Sequence, residues 1–135
     1  PEIRIVNRTT ARADALAIEL GPVARVWPWI DRNHALADAA LLVNTTKLGM
    51  QGEASLDLSL ESLPVEAVVT DAVYVPLKTQ LLASAESRGN QVVDGLGMLL
   101  HQARPGFASW FGVEPAVTDA LRACIEDDLK GVPRA

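Results

Sequence analysis

Residues 2–13 read EIRIVNRTTARA. A short apolar run, Ile3, Ile5 and Val6, gives way at once to Asn7-Arg8-Thr9, and a second arginine follows at Arg12. Alternation over the first residues reads as a strand, and the next apolar positions, Ala13, Leu16, Ala17 and Leu20, recur at i, i+3, i+4 and i+7, the spacing of one helix face. Gly21-Pro22 closes that helix. Strand, polar cluster, helix and stop therefore occupy the first 22 residues, and this unit sets the reading of the rest.

The same alternation continues. Val23 to Trp27 reads as a second strand and residues 30–37 as a short helix. AALLVN (39–44) is an apolar strand of the kind buried on both faces. A glycine-bearing loop, TTKLGMQGE, precedes a further strand, AVVTDA (67–72). TQLLASAESRG is a helix closed by Gly89, QVV (91–93) a last strand, and two helices over 95–112 and 116–130 finish the chain. Strands separated by helices at intervals of about 10 to 15 residues imply right-handed crossovers and an α/β fold: a parallel sheet with helices on both faces.

Composition narrows the function classes. The 135 residues are 49% hydrophobic and 21% charged, which suits one globular domain with a sizeable core. Seventeen acidic against 12 basic residues leave a net charge of -5, so bulk charge favours neither nucleic acid nor an anionic membrane surface. The lone cysteine, Cys124, has no internal disulfide partner, and no Cys/His cluster has zinc spacing; both point to a reducing, cytoplasmic setting and no metal. No apolar run approaches the roughly 18 residues of a membrane span. Pro1 in place of methionine suggests a trimmed chain.

Sheets of this type bind ligands beyond the carboxyl ends of their strands. The residues there are Asn7-Arg8-Thr9, Asn44-Thr45-Thr46, Asp71 to Tyr74 and Asp94-Gly95. In a dinucleotide-binding sheet the tip of the second strand reads the adenosine ribose: an acid accepts from a free 2′-hydroxyl, whereas an arginine accommodates a 2′-phosphate. Arg8 thus favours NADP over NAD. Arg8 and Arg12, four residues apart where a helix begins, can converge on one phosphate, with Thr9 and the first helical N–H groups as further donors. A solvated helix start capped by Thr9 fits the spacing equally well.

NRTTARA (7–13) resembles the NADP motif of the shikimate dehydrogenase family. LLVNTTKLGMQG (41–52), DAVYVPLKTQLL (71–82) and VVDGLGMLLHQARPGFASWFGVEP (92–115) resemble later blocks of that family in the same order. The resemblance implies a Rossmann-like domain of an enzyme that reduces 3-dehydroshikimate to shikimate with NADPH in aromatic amino-acid biosynthesis. It implies that Asn7, Arg8, Thr9 and Arg12 hold the adenine and 2′-phosphate. Asn44 and Thr45 would follow the strand beneath the cofactor, and the Ala72 backbone, Gly95 and Met98 would surround the nicotinamide. Tyr74 and Gln102 would face the substrate. Lys47, Val75 and Gln80 depart from the family's usual residues, none of them at a position with a chemical role.

The first strand and Gly-rich turn of the dinucleotide fold are not among these residues, nor is the amino-terminal substrate domain, to which the resemblance assigns a proton-transferring lysine and aspartate. Residues 1–135 are then a partial NADP-binding domain with no catalytic residue of its own, inactive in isolation. In the strand order 3-2-1-4-5-6 the absent strand lies between the second and fourth, so residues 2–6 and 23–27 should be disconnected from the remaining sheet. A quinate-type dehydrogenase and a non-catalytic NADP-binding module stay open, as does a homodimer.

On the long helix, Leu96, Leu99, Leu100, Ala103, Phe107, Trp110 and Phe111 form one stripe that should be buried. Met98 and Gln102 project together away from it. Asp94 can cap this helix, Gly95 allows close backbone approach to a ligand, and Pro105, opposite the stripe, should bend or split the helix. His34 and His101 read as solvated residues, Cys124 as a small core residue and Trp27, Trp29 and Trp110 as packing groups.

Overall fold

The computed structural model describes residues 1–131; the last four residues of the expected domain lie outside them. Five parallel strands alternate with helices: β1 (Ile3–Val6), α1 (Thr10–Leu20), β2 (Ala24–Trp27), β3 (Leu41–Asn44), β4 (Val68–Asp71), α2 (Gln80–Ser87), β5 (Gln91–Val93), α3 (Leu96–Phe111) and α4 (Asp119–Leu129). β1 pairs with β2, Ile3 opposite Ala24. β4 lies between β3 and β5, with Leu41 opposite Val68 and Val68 opposite Gln91. The two sheets, β1-β2 and β3-β4-β5, share no ladder, as the strand-order argument expects.

α1 packs on the two-stranded sheet and α2 on β4 and β5. The core lies on one side of the larger sheet, where Val69 meets Leu81, Leu82 and Ala85 of α2 and Leu36, Leu60, Leu63 and Ala67 of the intervening segments. Arg4 joins the halves: its guanidinium donates to the carbonyls of Ala35 and Ala37 and lies 5.6 Å from the centroid of Trp27. Asn90 pins the loop before β4 by donating through Nδ2 to Pro64, Val65 and Ala67.

Several expectations are corrected. β3 is not buried on both faces: Leu41 and Val43 are exposed, because α2 and the 56–63 segment cover only the side that carries Leu42 and Asn44. Of the α1 stripe only Ala13 is buried; Leu16 and Leu20 overhang the edge of a two-stranded sheet. Residues 30–37 form two 3-10 turns, Trp29–Asp31 and His34–Leu36, too short to nucleate an α-helix after Pro28. The final helix begins at Asp119 because the Thr118 hydroxyl accepts from Leu121 N at 3.2 Å.

The α3 stripe is buried only at Leu96. Phe107, Phe111 and Trp110, the last 80% exposed, are left largely in solvent, and the two phenylalanines pair with each other; α4 packs on the helix. The helix stays continuous through Pro105 and ends at Gly112, whose φ of 71° is left-handed. Cys124 is exposed. Arg122 ties α4 to the start of α3 through Asp94 at 2.6 Å and pairs with Glu126 at 2.8 Å within its own helix, and the Asp94 hydrogen bond raises the Arg122 pKa above its usual value.

Leu82, 2% exposed, should cost about 2–5 kcal/mol when replaced by alanine. Ile18→Ala, at an 81% exposed position, should stay within about 0.5 kcal/mol. Urea midpoints of the two variants check the contrast.

Candidate functional site

The β1 end is built by its own sequence. Asn7 Oδ1 accepts from Thr9 N at 2.9 Å, an Asx turn that bends the chain out of the strand. Thr9 then sits at the helix N-cap in extended backbone, and its carbonyl accepts from Arg12 N at 3.0 Å. The threonine hydroxyl makes no capping bond, so the cap expected from Thr9 is not formed by its side chain. Arg8 and Arg12 are exposed, and neither guanidinium makes a hydrogen bond or ion pair with the described residues. No acidic residue occupies the first turn of α1. Two cations at the positive end of a helix dipole are each unfavourable by about 0.3–1 kcal/mol, a cost that an anion held there reverses.

The β3 and β4 ends are joined below the surface. Asn44, buried, donates through Nδ2 to Asp71 Oδ1 at 2.9 Å and to Leu48 O at 3.1 Å. Its Oδ1 accepts from Thr46 N and Thr46 Oγ1 at 3.0 and 2.8 Å. Both amide hydrogens and the oxygen are used, so Asn44 acts by shaping the 45–49 loop, while Thr45 beside it is exposed. Ala72 N donates to Asn44 O at 2.8 Å, which brings the two strand ends into register.

Gly95 meets this platform from β5. A Cβ there would lie 2.5 Å from the Ala72 oxygen and 2.7 Å from that of Val73. The close approach that glycine permits is thus to the β4 exit, and it seats the start of α3 there. The N-cap of α3 is Gly95 and not Asp94 as expected; Asp94, one residue earlier, accepts from Leu96 N through Oδ1 at 3.0 Å and anchors the first turn. Met98 and Gln102, both exposed, follow on α3. Tyr74 is half-buried and lines a cavity with Val75, Pro76, Leu77, Leu129 and Lys130.

The structure therefore brings Asn44, Thr45, Ala72 and Gly95 together and sets Arg8, Thr9 and Arg12 apart on the smaller sheet. A cavity of about 100 Å³ lies between them, lined by Val6 from the end of β1 and by Leu42 to Thr46. Sequence reasoning missed Asp71 and Thr79 as organisers of the site; the available signal was an aspartate closing an otherwise apolar strand. Among the described residues no group of three or more His, Cys, Asp or Glu side chains could hold a metal, and no helix is long and apolar enough to cross a membrane.

Parallel strands with polar clusters at their carboxyl ends, a cation pair among them, define a Rossmann-like α/β unit. Its relatives are specific: the chain is 58% identical over 125 residues to a shikimate dehydrogenase (NADP(+)) of Paramagnetospirillum magneticum, matching 93% of this chain and 45% of that protein. Among solved structures it is similar to shikimate 5-dehydrogenase of Thermus thermophilus, in complex with NADP(H) and shikimate, at 33% identity and a TM-score of 0.73, covering 98% of this chain and 46% of that one. It is also similar to quinate dehydrogenase from Corynebacterium glutamicum in complex with NAD, at 28% identity and a TM-score of 0.78, covering 85% and 43%. No protein-family model matches. The chain is homologous to the shikimate dehydrogenases over this stretch and spans about 45% of the length of the relative it matches.

Gly95→Ala drives a methyl group into the Ala72 and Val73 carbonyls and should destabilise the protein by roughly 1–3 kcal/mol, measured by chemical denaturation; Gly97→Ala, in open space, is the control.

Proposed function

We propose that the chain is the NADP-binding part of a shikimate dehydrogenase, an enzyme that reversibly reduces 3-dehydroshikimate to shikimate. The observation that carries this reading is the unpaired Arg8 and Arg12 pair beyond β1, which fits a dianionic 2′-phosphate and has no other counter-charge in the first turn of α1. The donors there are of the right kind: two planar guanidiniums, the free Thr9 hydroxyl and the first amides of an 11-residue helix.

NADPH, when bound, supplies the hydride. The chain's task is to hold and orient. Arg8 and Arg12 clamp the 2′-phosphate, and Asn7 shapes their turn. Thr45, Ala72, Gly95 and Met98 frame the nicotinamide end, with Asn44 holding the loop that bears Thr45. Tyr74 and Gln102 face the substrate. The remaining substrate contacts, and the lysine and aspartate that move the proton, belong to a substrate domain outside residues 1–135, so these residues alone turn over no shikimate. The lone cysteine supports a cytoplasmic setting.

The likeness to a quinate dehydrogenase supports a second reading, a related cyclic hydroxy acid as substrate. Arg8 bears on the cofactor and not on the choice of hydroxy acid. In the full-length protein Arg8→Asp should weaken NADP by about 1.5–3 kcal/mol, roughly 10- to 150-fold in Kd, and change NAD little. Calorimetric titration of both cofactors reads this, and equal losses would contradict the clamp.

A further inference from the structure

We propose that Asp71 is a positioning residue for the nicotinamide end of the site: its buried carboxylate locks the exits of β3 and β4 and the start of α2 into one platform. The inference rests on the NADP reading above.

Asp71 is 1% exposed. Its Oδ1 accepts from Asn44 Nδ2 at 2.9 Å and from Val73 N at 3.0 Å, and its Oδ2 accepts from Thr79 Oγ1 at 2.7 Å. No described Lys, Arg or His side chain forms an ion pair with it. Its charge is met by three neutral dipoles from three segments, and a buried carboxylate without a cation tolerates the loss of none of them cheaply. The pattern has one polarity. An ionised carboxylate only accepts, so the Asn44 amide must turn its nitrogen toward Asp71 and its oxygen toward Thr46. That orientation builds the loop bearing Thr45. The Thr79 hydroxyl, whose hydrogen points at Asp71, accepts from Leu82 N at 3.3 Å and caps α2.

The platform extends one step further. The bond to Val73 N fixes the backbone whose carbonyls, Ala72 and Val73, form the ledge under Gly95. Asp71 thereby sets the height at which α3 leaves β5, and with it Met98 and Gln102. Arg8, in the turn after β1, and Arg12, in α1, stand with the separate β1-β2 sheet, and neither shares a hydrogen bond or ion pair with Asn44, Asp71, Val73 or Thr79. Disturbing Asp71 should therefore uncouple the two ends of the cofactor.

The test uses full-length Asp71→Asn, which keeps shape but points an amide donor at one of the three donors. The dissociation constant for adenosine 2′,5′-bisphosphate, which has the 2′-phosphate and lacks the nicotinamide, should stay within about twofold, while kcat/KM for shikimate with NADP falls about tenfold or more. Unchanged kcat and KM in a folded Asp71→Asn protein would reduce Asp71 to a structural role and overturn the proposal. If that variant fails to fold, Thr79→Val removes one donor at constant volume: a loss in kcat/KM that Thr79→Ser restores is expected, and equal turnover in Thr79→Val and wild type would overturn it. A wild-type protein that turns over shikimate yet binds no adenosine 2′,5′-bisphosphate would instead refute the phosphate clamp.

Discussion

A carboxylate taken out of water must be surrounded by donors, and the site end of the larger sheet is arranged around that requirement at Asp71. Asn44, Val73 and Thr79 come from three separate segments, and each serves a second structure: a loop, a ledge and a helix cap. The strand order puts β3 and β4 side by side; the hydrogen bonds put their exits at a common height. Everything proposed for the nicotinamide end, from Thr45 to Gln102, hangs from that height.

The end of β1, where the phosphate clamp is proposed, obeys a different constraint. Sheet β1-β2 is tied to the rest through Arg4 rather than through a ladder, and its one-helix cover leaves much of α1 in solvent. Parallel strands are normally covered on both faces, and among the described residues nothing covers the side of β3 that carries Leu41 and Val43. The open cavity between Val6 and Leu42 to Thr46 lies where the two halves of the site approach each other.

The strands were legible because each apolar run ends abruptly in polar residues, and the helices because their apolar spacing and glycine stops agree. The separation of β1-β2 from β3-β4-β5 followed from strand order alone. Burial was less legible: the Leu96 to Phe111 stripe states which side of α3 wants cover, but not whether a neighbour supplies it, and Trp110 lies in solvent. The Asp71 network was invisible because its partners, Asn44 and Thr79, stand 27 and 8 residues away. Likewise Gly95 showed a need for close approach without showing that the backbone approached is that of Ala72. That Arg8 and Arg12 stand together at the start of α1 was readable because they are four residues apart in sequence.

The central claim is that this pair holds a phosphate in its dianionic form. The most direct measurement is phosphorus NMR of NADP bound to the full-length protein across pH. A free phosphate monoester takes up its proton near pH 6, and two guanidiniums favour the dianion and lower that pKa. The bound 2′-phosphate should therefore remain dianionic well below about pH 6; a bound resonance that titrates with the free one would contradict the account.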